Sequence, residues 1–117
     1  MNLLGDLYYA GHGVSQDYKQ AREWYEKGAA GGNAIAMANI GYLYERGYGV
    51  TQDSKQARQW YEKAAADGNS SAMSNLGNLY QYGIGVPVDI AQARQWYQKA
   101  AAAGDPNAPK RLEELKK

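Results

Sequence analysis

The sequence predicts an all-α protein, an α-solenoid of stacked antiparallel helix pairs, and two observations lead to this fold class. The first is self-similarity. Shifting the chain by 36 residues aligns residues 1–33 with 37–69 at 21 of 33 positions, and 37–69 matches 73–105 at 20. The second is that apolar residues within each copy recur at i, i+3 and i+4, which is helical spacing. A repeat of this period is typical of a solenoid.

The composition limits the number of domains and the kind of partner. With 117 residues and a formal charge of +1, the chain is long enough for one domain and lacks the basic excess typical of nucleic-acid-binding proteins. We therefore predict a protein or peptide partner, no nucleic acid and no cofactor. Without cysteine, disulfides and thiolate metal sites are absent. No apolar run reaches the roughly 18 residues of a membrane span, and Met1 opens no export signal, so the compartment stays open.

The first helix of each copy, helix A, is predicted to pack against a neighbour at very short distance. Gly41 lies in the middle of this helix, where glycine costs about 1 kcal/mol relative to alanine. Gly5 and Gly77 occupy the same place in the other copies. This recurrence predicts a contact too close for a methyl group. Gly47 then stands where a left-handed glycine would end the helix. The apolar face in the middle copy consists of Ile40, Leu43 and Tyr44.

The second helix of each copy, helix B, has a recognisable start and one apolar stripe. Asp53 followed by Gln56 three residues later has the form of a capping box. The helix is predicted to stop at Gly68, and Asn69 then caps the next helix. The stripe consists of Ala57, Trp60, Tyr61, Ala64 and Ala65.

The copies divide the chain into one repeat domain with a closing helix. We predict repeat 1 over residues 1–33 with an incomplete first helix, repeat 2 over 34–69, repeat 3 over 70–105, and a capping helix over 106–117. Asp105 would cap that last helix, with Pro106 at its first position. Glu113 replaces the recurring glycine there, as suits the polar end of a solenoid.

The pattern A-M-x-x-[IL]-G-x-L-Y-x-x-G-x-G-V, followed by D-x-x-x-A-R-x-W-Y-x-K-[AG]-A-A-x-G, resembles the Sel-one-like repeat, a relative of the tetratricopeptide repeat. The resemblance covers residues 1–105 in three copies, the first lacking its start, plus the closing helix. It implies helix pairs stacked into a right-handed superhelix and a role as a non-enzymatic adaptor or scaffold. Some cysteine-rich relatives have been linked to β-lactam binding. This chain lacks those cysteines, so that activity is not transferred.

The resemblance places helix A on the concave side of the stack, so helix A positions outside the recurring core are the candidate binding face. In the middle copy these positions are spaced i, i+4, i+7 and i+8 and share one side of the helix. They vary between copies while their neighbours repeat. We expect an extended or helical peptide ligand, with the tyrosines as anchors. The candidate partner-binding residues are Asn2, Asp6, Tyr9, Ala10, Ala38, Tyr42, Glu45, Arg46, Ser74, Asn78, Gln81 and Tyr82.

Two alternative functions remain open. The first is a structural or self-associating module, because Leu3, Leu4 and Leu7 of the incomplete first helix leave an apolar edge for end-to-end stacking on another chain. The second is small-molecule or β-lactam binding or hydrolysis, which only the cysteine-rich relatives suggest. No catalytic or metal-binding residue is predicted. His12 is the only histidine and lies between two glycines in a turn.

The tryptophans of helix B are interpreted as core residues and not as a stacking ladder for bases or sugars, because they lie in the apolar stripe. On this reading Trp60→Ala would cost about 3 to 5 kcal/mol. An arginine stands two residues before each tryptophan, and we assign this row to packing or solvation. The two rows are Trp24, Trp60 and Trp96, and Arg22, Arg58 and Arg94.

Overall fold

The computed structural model describes residues 18–115 and contains six α-helices and no β-strand in that range. The helices are α1 (Tyr18–Ala30), α2 (Ala34–Arg46), α3 (Ser54–Ala66), α4 (Ser70–Tyr82), α5 (Ile90–Ala102) and α6 (Ala108–Leu115). Helices α2 and α4 are helix A of repeats 2 and 3, while α1, α3 and α5 are helix B of the three repeats. Each helix packs on the next, and the stack measures 43 × 27 × 23 Å. The predicted all-α repeat fold is confirmed.

None of the six described helices is long and apolar enough to cross a membrane. Helices α2 to α5 begin where a side-chain oxygen satisfies a free backbone amide. Asp53 Oδ1 accepts a hydrogen bond from Gln56 N at 3.1 Å, and Asn69 Oδ1 accepts one from Ala72 N at 2.8 Å. The same bond forms at Asn33 and Asp89. Helix α2 ends at Gly47, whose φ of 71° lies in the left-handed region that glycine adopts without strain. The predicted N-terminal caps of these helices and the glycine cap of α2 are confirmed.

The mid-helix glycines of α2 and α4 receive a tyrosine ring from the next helix. A Cβ at Gly41 would lie 2.7 Å from Cε1 of Tyr61, and a Cβ at Gly77 would lie 2.5 Å from Cε1 of Tyr97. Both distances are far inside van der Waals contact, so a methyl group would displace the ring. The predicted close contact is confirmed. The residue that contacts each glycine is a fully buried tyrosine.

The turn between helix A and helix B packs against the preceding repeat. Gly49, in the turn of repeat 2, has a φ of 74°, and a Cβ there would lie 2.6 Å from Cβ of Tyr18 at the start of α1. Gly85 meets Ser54 at the start of α3 in the same way. Because each turn contacts the first residue of the previous helix B, these contacts set the register between successive repeats.

Two apolar clusters form the core. One consists of Ala21, Tyr25, Ala36, Ile40 and Leu43. The other consists of Ala38, Ala57, Tyr61, Ala64, Ala65, Ala72, Leu76 and Leu79. Alanine supplies two of the five residues of the first cluster and five of the eight of the second, which allows the helices to approach closely while a few large side chains fill the space between them.

The prediction that the tryptophans are core residues is confirmed only in part, because none of the three is fully buried. Trp60 and Trp96 are half-buried, as is Trp24, whereas Tyr61 and Tyr97 are completely buried. Trp60 packs against the edge of the first cluster and Trp96 against the edge of the second. The tyrosine follows the tryptophan by one residue, which is about 100° further around the helix. That rotation directs the tyrosine, and not the tryptophan, at the mid-helix glycine.

The last helix begins at Ala108, two residues later than predicted. Pro106 lies in the turn before the helix and not at its first position. The buried carboxylate of Asp105 accepts hydrogen bonds from the hydroxyl of Ser74 in α4 and, at 3.0 Å, from Asn107 N. These bonds close a turn ahead of the helix and attach α6 to repeat 3.

Candidate functional site

Eight of the twelve candidate residues fall within the described part of the chain, all on α2 and α4. Asn2, Asp6, Tyr9 and Ala10 lie outside the described residues, as do Leu3, Leu4, Leu7 and His12. Six of the eight have solvent access. These six are called the helix A face and are Tyr42, Glu45, Arg46, Asn78, Gln81 and Tyr82.

The other two candidates, Ala38 and Ser74, are buried. Ala38 is 7% exposed and belongs to a core cluster, and Ser74 is 8% exposed with its hydroxyl bonded to Asp105. The expectation that these positions form exposed surface is therefore wrong. They lie one turn before Tyr42 and Asn78, at a level of helix A where neighbouring elements pack over it.

In repeat 2, the hydroxyl of buried Tyr61 reaches the helix A face. It donates a hydrogen bond to Glu45 Oε1 at 2.7 Å, which satisfies the polar end of an otherwise apolar side chain. Burial raises the pKa of Tyr61 far above its usual range, and the negative charge of Glu45 raises it further, while Arg46 opposes the rise. The hydroxyl is therefore a fixed donor at neutral pH, and it holds the Glu45 carboxylate in place.

In repeat 3, the hydroxyl of Tyr97 lies 2.6 Å from Asn78 Oδ1 and 2.7 Å from Gln81 Oε1. A hydroxyl carries one proton, so it donates to one amide oxygen and accepts from the NH2 group of the other amide once that amide rotates. Burial raises the pKa of Tyr97 to about 12, which keeps the proton in place at neutral pH. Two amides are thereby held where repeat 2 has a carboxylate.

An aromatic group lies at the repeat 2 end of the helix A face. The guanidinium carbon of Arg46 is 5.3 Å from the centre of the Tyr42 ring, which is within the range of a cation–π contact. The Tyr42 ring meets the Tyr48 ring edge-on at 6.1 Å, and Tyr48 stacks on Tyr18 at 4.8 Å. These contacts fix the orientation of Tyr42 and position the exposed Arg46 side chain above it.

Sequence reasoning missed two residues of α6 beside this face. Arg111 lowers the pKa of Tyr97 and Glu114 raises it, so both charges lie near that hydroxyl. Tyr82 also raises the pKa of Tyr97, so it lies near the same hydroxyl. A signal for Glu114 was available, because the 36-residue shift aligns it with Asn78 and Tyr42. The predicted binding face ends at the third copy, although the closing helix continues the same row of positions.

The helix A face offers aromatic rings, hydrogen-bonding groups and both signs of charge. The hydroxyls of buried Tyr61 and Tyr97 reach this face, and burial raises the pKa of both. Among residues 18–115, no group of three or more His, Cys, Asp or Glu side chains is arranged to hold a metal ion. Such a surface is suited to recognition of another molecule.

Comparison with protein families identifies three Sel1 repeats, at residues 1–33, 34–69 and 70–105. Among curated proteins, none matches the chain. Among solved structures, a Sel1 repeat protein from Oxalobacter formigenes is 38% identical with a TM-score of 0.89, and the match covers 95% of this chain and 45% of that one. A second is c5321, a protective antigen of uropathogenic Escherichia coli strains displaying an SLR fold. It is 38% identical with a TM-score of 0.85, over 97% of this chain and 24% of that one.

A third structure, Helicobacter pylori cysteine rich protein B, has a TM-score of 0.78 at 22% identity, over 94% of this chain and 90% of its own. This likeness concerns the fold alone. The present chain spans less than half the length of the first two relatives. The Sel1 matches together cover residues 1–105, and the two structures at 38% identity carry the same repeat. The chain therefore belongs to the Sel1 repeat family.

Proposed function

We propose that this protein is a protein-interaction module that holds a peptide segment of its partner on the helix A face. Sel1 repeat proteins typically bind proteins and generally serve as scaffolds without catalysis. The finer assignment, to one face and to a peptide, rests on the contacts of repeats 2 and 3.

One observation carries the proposal: the packing framework is the same in both repeats, while the side chains above it differ. Gly41 and Gly77 receive the same tyrosine in the same way. Above them, Glu45 is replaced by Gln81 and Arg46 by Tyr82. Packing does not explain these exchanges, because the buried tyrosine hydroxyl is satisfied in both repeats. Selection for a ligand on this face would account for them.

The chemistry of the face favours a peptide with an apolar or aromatic side chain and several polar groups. Tyr82 is 58% exposed, and Tyr42 has solvent access beside exposed Arg46. Tyrosine and arginine are the residues that most often dominate binding energy in protein interfaces. The amide groups of Asn78 and Gln81 lie on the same helix as Tyr82 and can bond a peptide backbone.

The test compares partner capture by the wild-type protein and by Tyr42→Ala, Arg46→Ala and Tyr82→Ala. Each change removes an exposed side chain and leaves the buried tyrosines untouched, so the fold is expected to persist. We expect captured partner to bind about tenfold more weakly to at least one variant. Gln59→Ala, at an exposed position of helix B, is the matched control. If the three helix A variants, the control and the wild type bind the partner with equal affinity, the binding site lies outside the helix A face.

A second candidate function is self-association, and one observation favours it. Ser54 at the start of α3 is covered by the turn that contains Gly85, but Ile90, the same position on α5, is 39% exposed. An uncovered isoleucine at a stacking position is suited to contact with another copy. Light scattering over a range of concentrations tests this. Ile90→Ser, which restores the residue of repeat 2, should lower the molar mass if copies associate there. A wild-type monomer throughout would exclude this mode.

A further inference from the structure

The charges of the molecule are divided unevenly between its two kinds of helix. Helices α1, α3 and α5 together carry eight basic and three acidic residues, an excess of five positive charges. Helices α2, α4 and α6 carry equal numbers of each sign. The acidic residues that balance the total lie in the connections and are Asp53, Asp67, Asp89 and Asp105. The near-neutral total charge therefore conceals a basic surface on helix B.

Helix B holds one lysine of each repeat against a tryptophan three residues earlier. The ammonium nitrogen lies 4.2 Å from the ring centre for Lys27 on Trp24, 4.7 Å for Lys63 on Trp60 and 4.6 Å for Lys99 on Trp96. All three lysines are exposed. A cation–π contact restricts where the ammonium group lies, so three charges are presented in register, one per repeat. The exposed cations of helix B, called the basic face, are Lys19, Lys27, Lys55, Lys63, Arg94 and Lys99.

Acidic residues on and beside helix B offset part of this charge. The exposed ones are Glu23, Glu26, Asp53, Glu62, Asp67 and Asp89, whereas the carboxylate of Asp105 is buried. Helix α5 contains no acidic residue, and Ala103 follows it where Asp67 follows α3. The cations of α5 are therefore the least offset.

The arginine row noticed in the sequence contributes less to the free charge. Arg22 and Arg58 are half-buried, and their Nε atoms are buried with no hydrogen-bond partner among residues 18–115. Their side chains are thus partly occupied in packing. Arg94 is exposed and belongs to the basic face. The lysines are the main cations available to a ligand.

We infer that the basic face binds an acidic segment of a second protein, separately from the helix A face. Single-stranded nucleic acid is disfavoured, because it binds by stacking bases on open aromatic rings. Here Trp60 and Trp96 pack against core clusters and carry a lysine over the ring. Of the exposed large apolar residues in the described range, only Ile90 lies on helix B, so the basic face lacks the row of apolar groups that insertion into a membrane needs. Carboxylates of a polypeptide remain as the complementary charge.

The length of the stack sets the size of the probe. An extended chain advances about 3.3 Å per residue, so about 13 residues span the 43 Å long dimension. A poly-glutamate peptide of about 15 residues is therefore sufficient to reach the cations of all described repeats. All three tryptophans of the chain lie beside the lysines of helix B, so their fluorescence reports binding on this face.

The experiment is a fluorescence titration of the whole chain with this poly-glutamate peptide at low salt. We expect a saturable change in tryptophan emission that weakens as salt is raised, because exposed charges are screened. Lys63→Gln with Lys99→Gln should weaken binding by about three- to thirtyfold. Affinity is taken from the midpoint of the titration, since removal of a lysine also alters the starting emission. Circular dichroism checks that each variant is folded.

The control is Lys110→Gln with Lys117→Gln, which removes two positive charges from the C-terminal part of the chain and leaves the six residues of the basic face unchanged. It should bind poly-glutamate within about twofold of the wild type. The inference is overturned by absence of binding at low salt, or by equal weakening in both double variants. Tighter binding of an oligothymidine or of anionic phospholipid vesicles than of poly-glutamate would also overturn it. Loss of partner capture in the helix A variants, with poly-glutamate binding retained, would show that the two faces act separately.

Discussion

Repeats 2 and 3 share a framework and differ on the surface of helix A. In both, an asparagine caps helix A, a mid-helix glycine receives a buried tyrosine, and a left-handed glycine ends the helix. On the helix A face, however, repeat 2 presents Tyr42, Glu45 and Arg46, and repeat 3 presents Asn78, Gln81 and Tyr82. Packing is thus kept constant while the chemistry offered to a ligand changes.

The buried tyrosine makes this separation possible. Its hydroxyl can donate or accept, so it bonds the Glu45 carboxylate in repeat 2 and the amides of Asn78 and Gln81 in repeat 3. The polar end of the core residue is satisfied in either case. The comparison therefore teaches that a single adaptable hydroxyl connects the shared glycine–tyrosine contact to a variable surface.

The largest expected effect comes from removing the buried ring. Tyr61→Ala and Tyr97→Ala should each lower the free energy of unfolding by about 3 to 5 kcal/mol, because a large buried side chain is lost and a cavity remains. Trp60→Ala should cost about half as much or less, because Trp60 is only half-buried. Urea denaturation measures all three. A larger loss for Trp60 than for Tyr61 would contradict the assignment of the tyrosines as the core aromatics.

Adding a methyl group at the glycine that receives the ring should have the next largest effect. Gly77→Ala and Gly41→Ala should each destabilise the protein by about 1 to 3 kcal/mol through overpacking, with the greater loss at Gly77, where the ring is closer. At an exposed position within a helix the same change stabilises by about 1 kcal/mol. The sign of the change in the free energy of unfolding therefore shows whether the glycine is in tight contact. Gly31→Ala is the control, because its nearest neighbour would lie at an ordinary 3.4 Å. Stabilisation by Gly77→Ala in thermal denaturation would refute the contact.

One buried bond occurs in repeat 3 and has no equivalent in repeat 2. Ser74→Ala removes the hydroxyl that donates to the buried Asp105 carboxylate, and we expect a loss of about 1 to 2 kcal/mol. The position corresponds to Ala38 in repeat 2. Amide hydrogen exchange should show the loss first in α6, which Asp105 attaches to α4. Unchanged exchange in α6 would indicate that the bond does not hold the closing helix.

Alkaline pH should weaken the framework through the same tyrosines. Their folded-state pKa values are raised above the usual value near 10, to about 12 for Tyr97. The unfolded chain therefore loses these protons first, and stability that is fully present below pH 10 is lost as pH rises toward 12. At pH 11 the loss is about 1 kcal/mol per tyrosine. Urea denaturation at pH 8 and pH 11 tests this, and Tyr97→Phe should reduce the difference. An identical pH dependence in that variant would contradict burial of the hydroxyl.

Much of the fold could be predicted from sequence because its determinants are local and recur. The caps at Asn33, Asp53 and Asn69, the glycine at the end of α2 and the need for space at Gly41 all follow from residue type and position. The attachment of α6 to repeat 3 could not be predicted, because it includes a hydrogen bond from Ser74 to Asp105, 31 residues later. No local pattern reveals such a bond.

The sequence predicts which side of helix A carries the candidate face, but not which positions on that side are buried. Helical spacing brought together Tyr42, Glu45 and Arg46, but it could not distinguish Ala38, which neighbouring helices cover. The difference in burial between Trp60 and Tyr61 could not be predicted for a similar reason. Both residues fit an apolar stripe. Which ring is fully buried depends on the position of the mid-helix glycine on the adjacent helix A.

The most direct test exchanges the surface of one repeat for that of the other. Asn78→Tyr, Gln81→Glu and Tyr82→Arg together give repeat 3 the helix A face of repeat 2, with a carboxylate available to Tyr97 as Glu45 is to Tyr61. Urea denaturation of this triple variant should give a free energy of unfolding within about 1 kcal/mol of the wild type, because exposed substitutions have small effects. A loss of more than about 3 kcal/mol would show that the framework depends on these side chains and that surface and core are not separable.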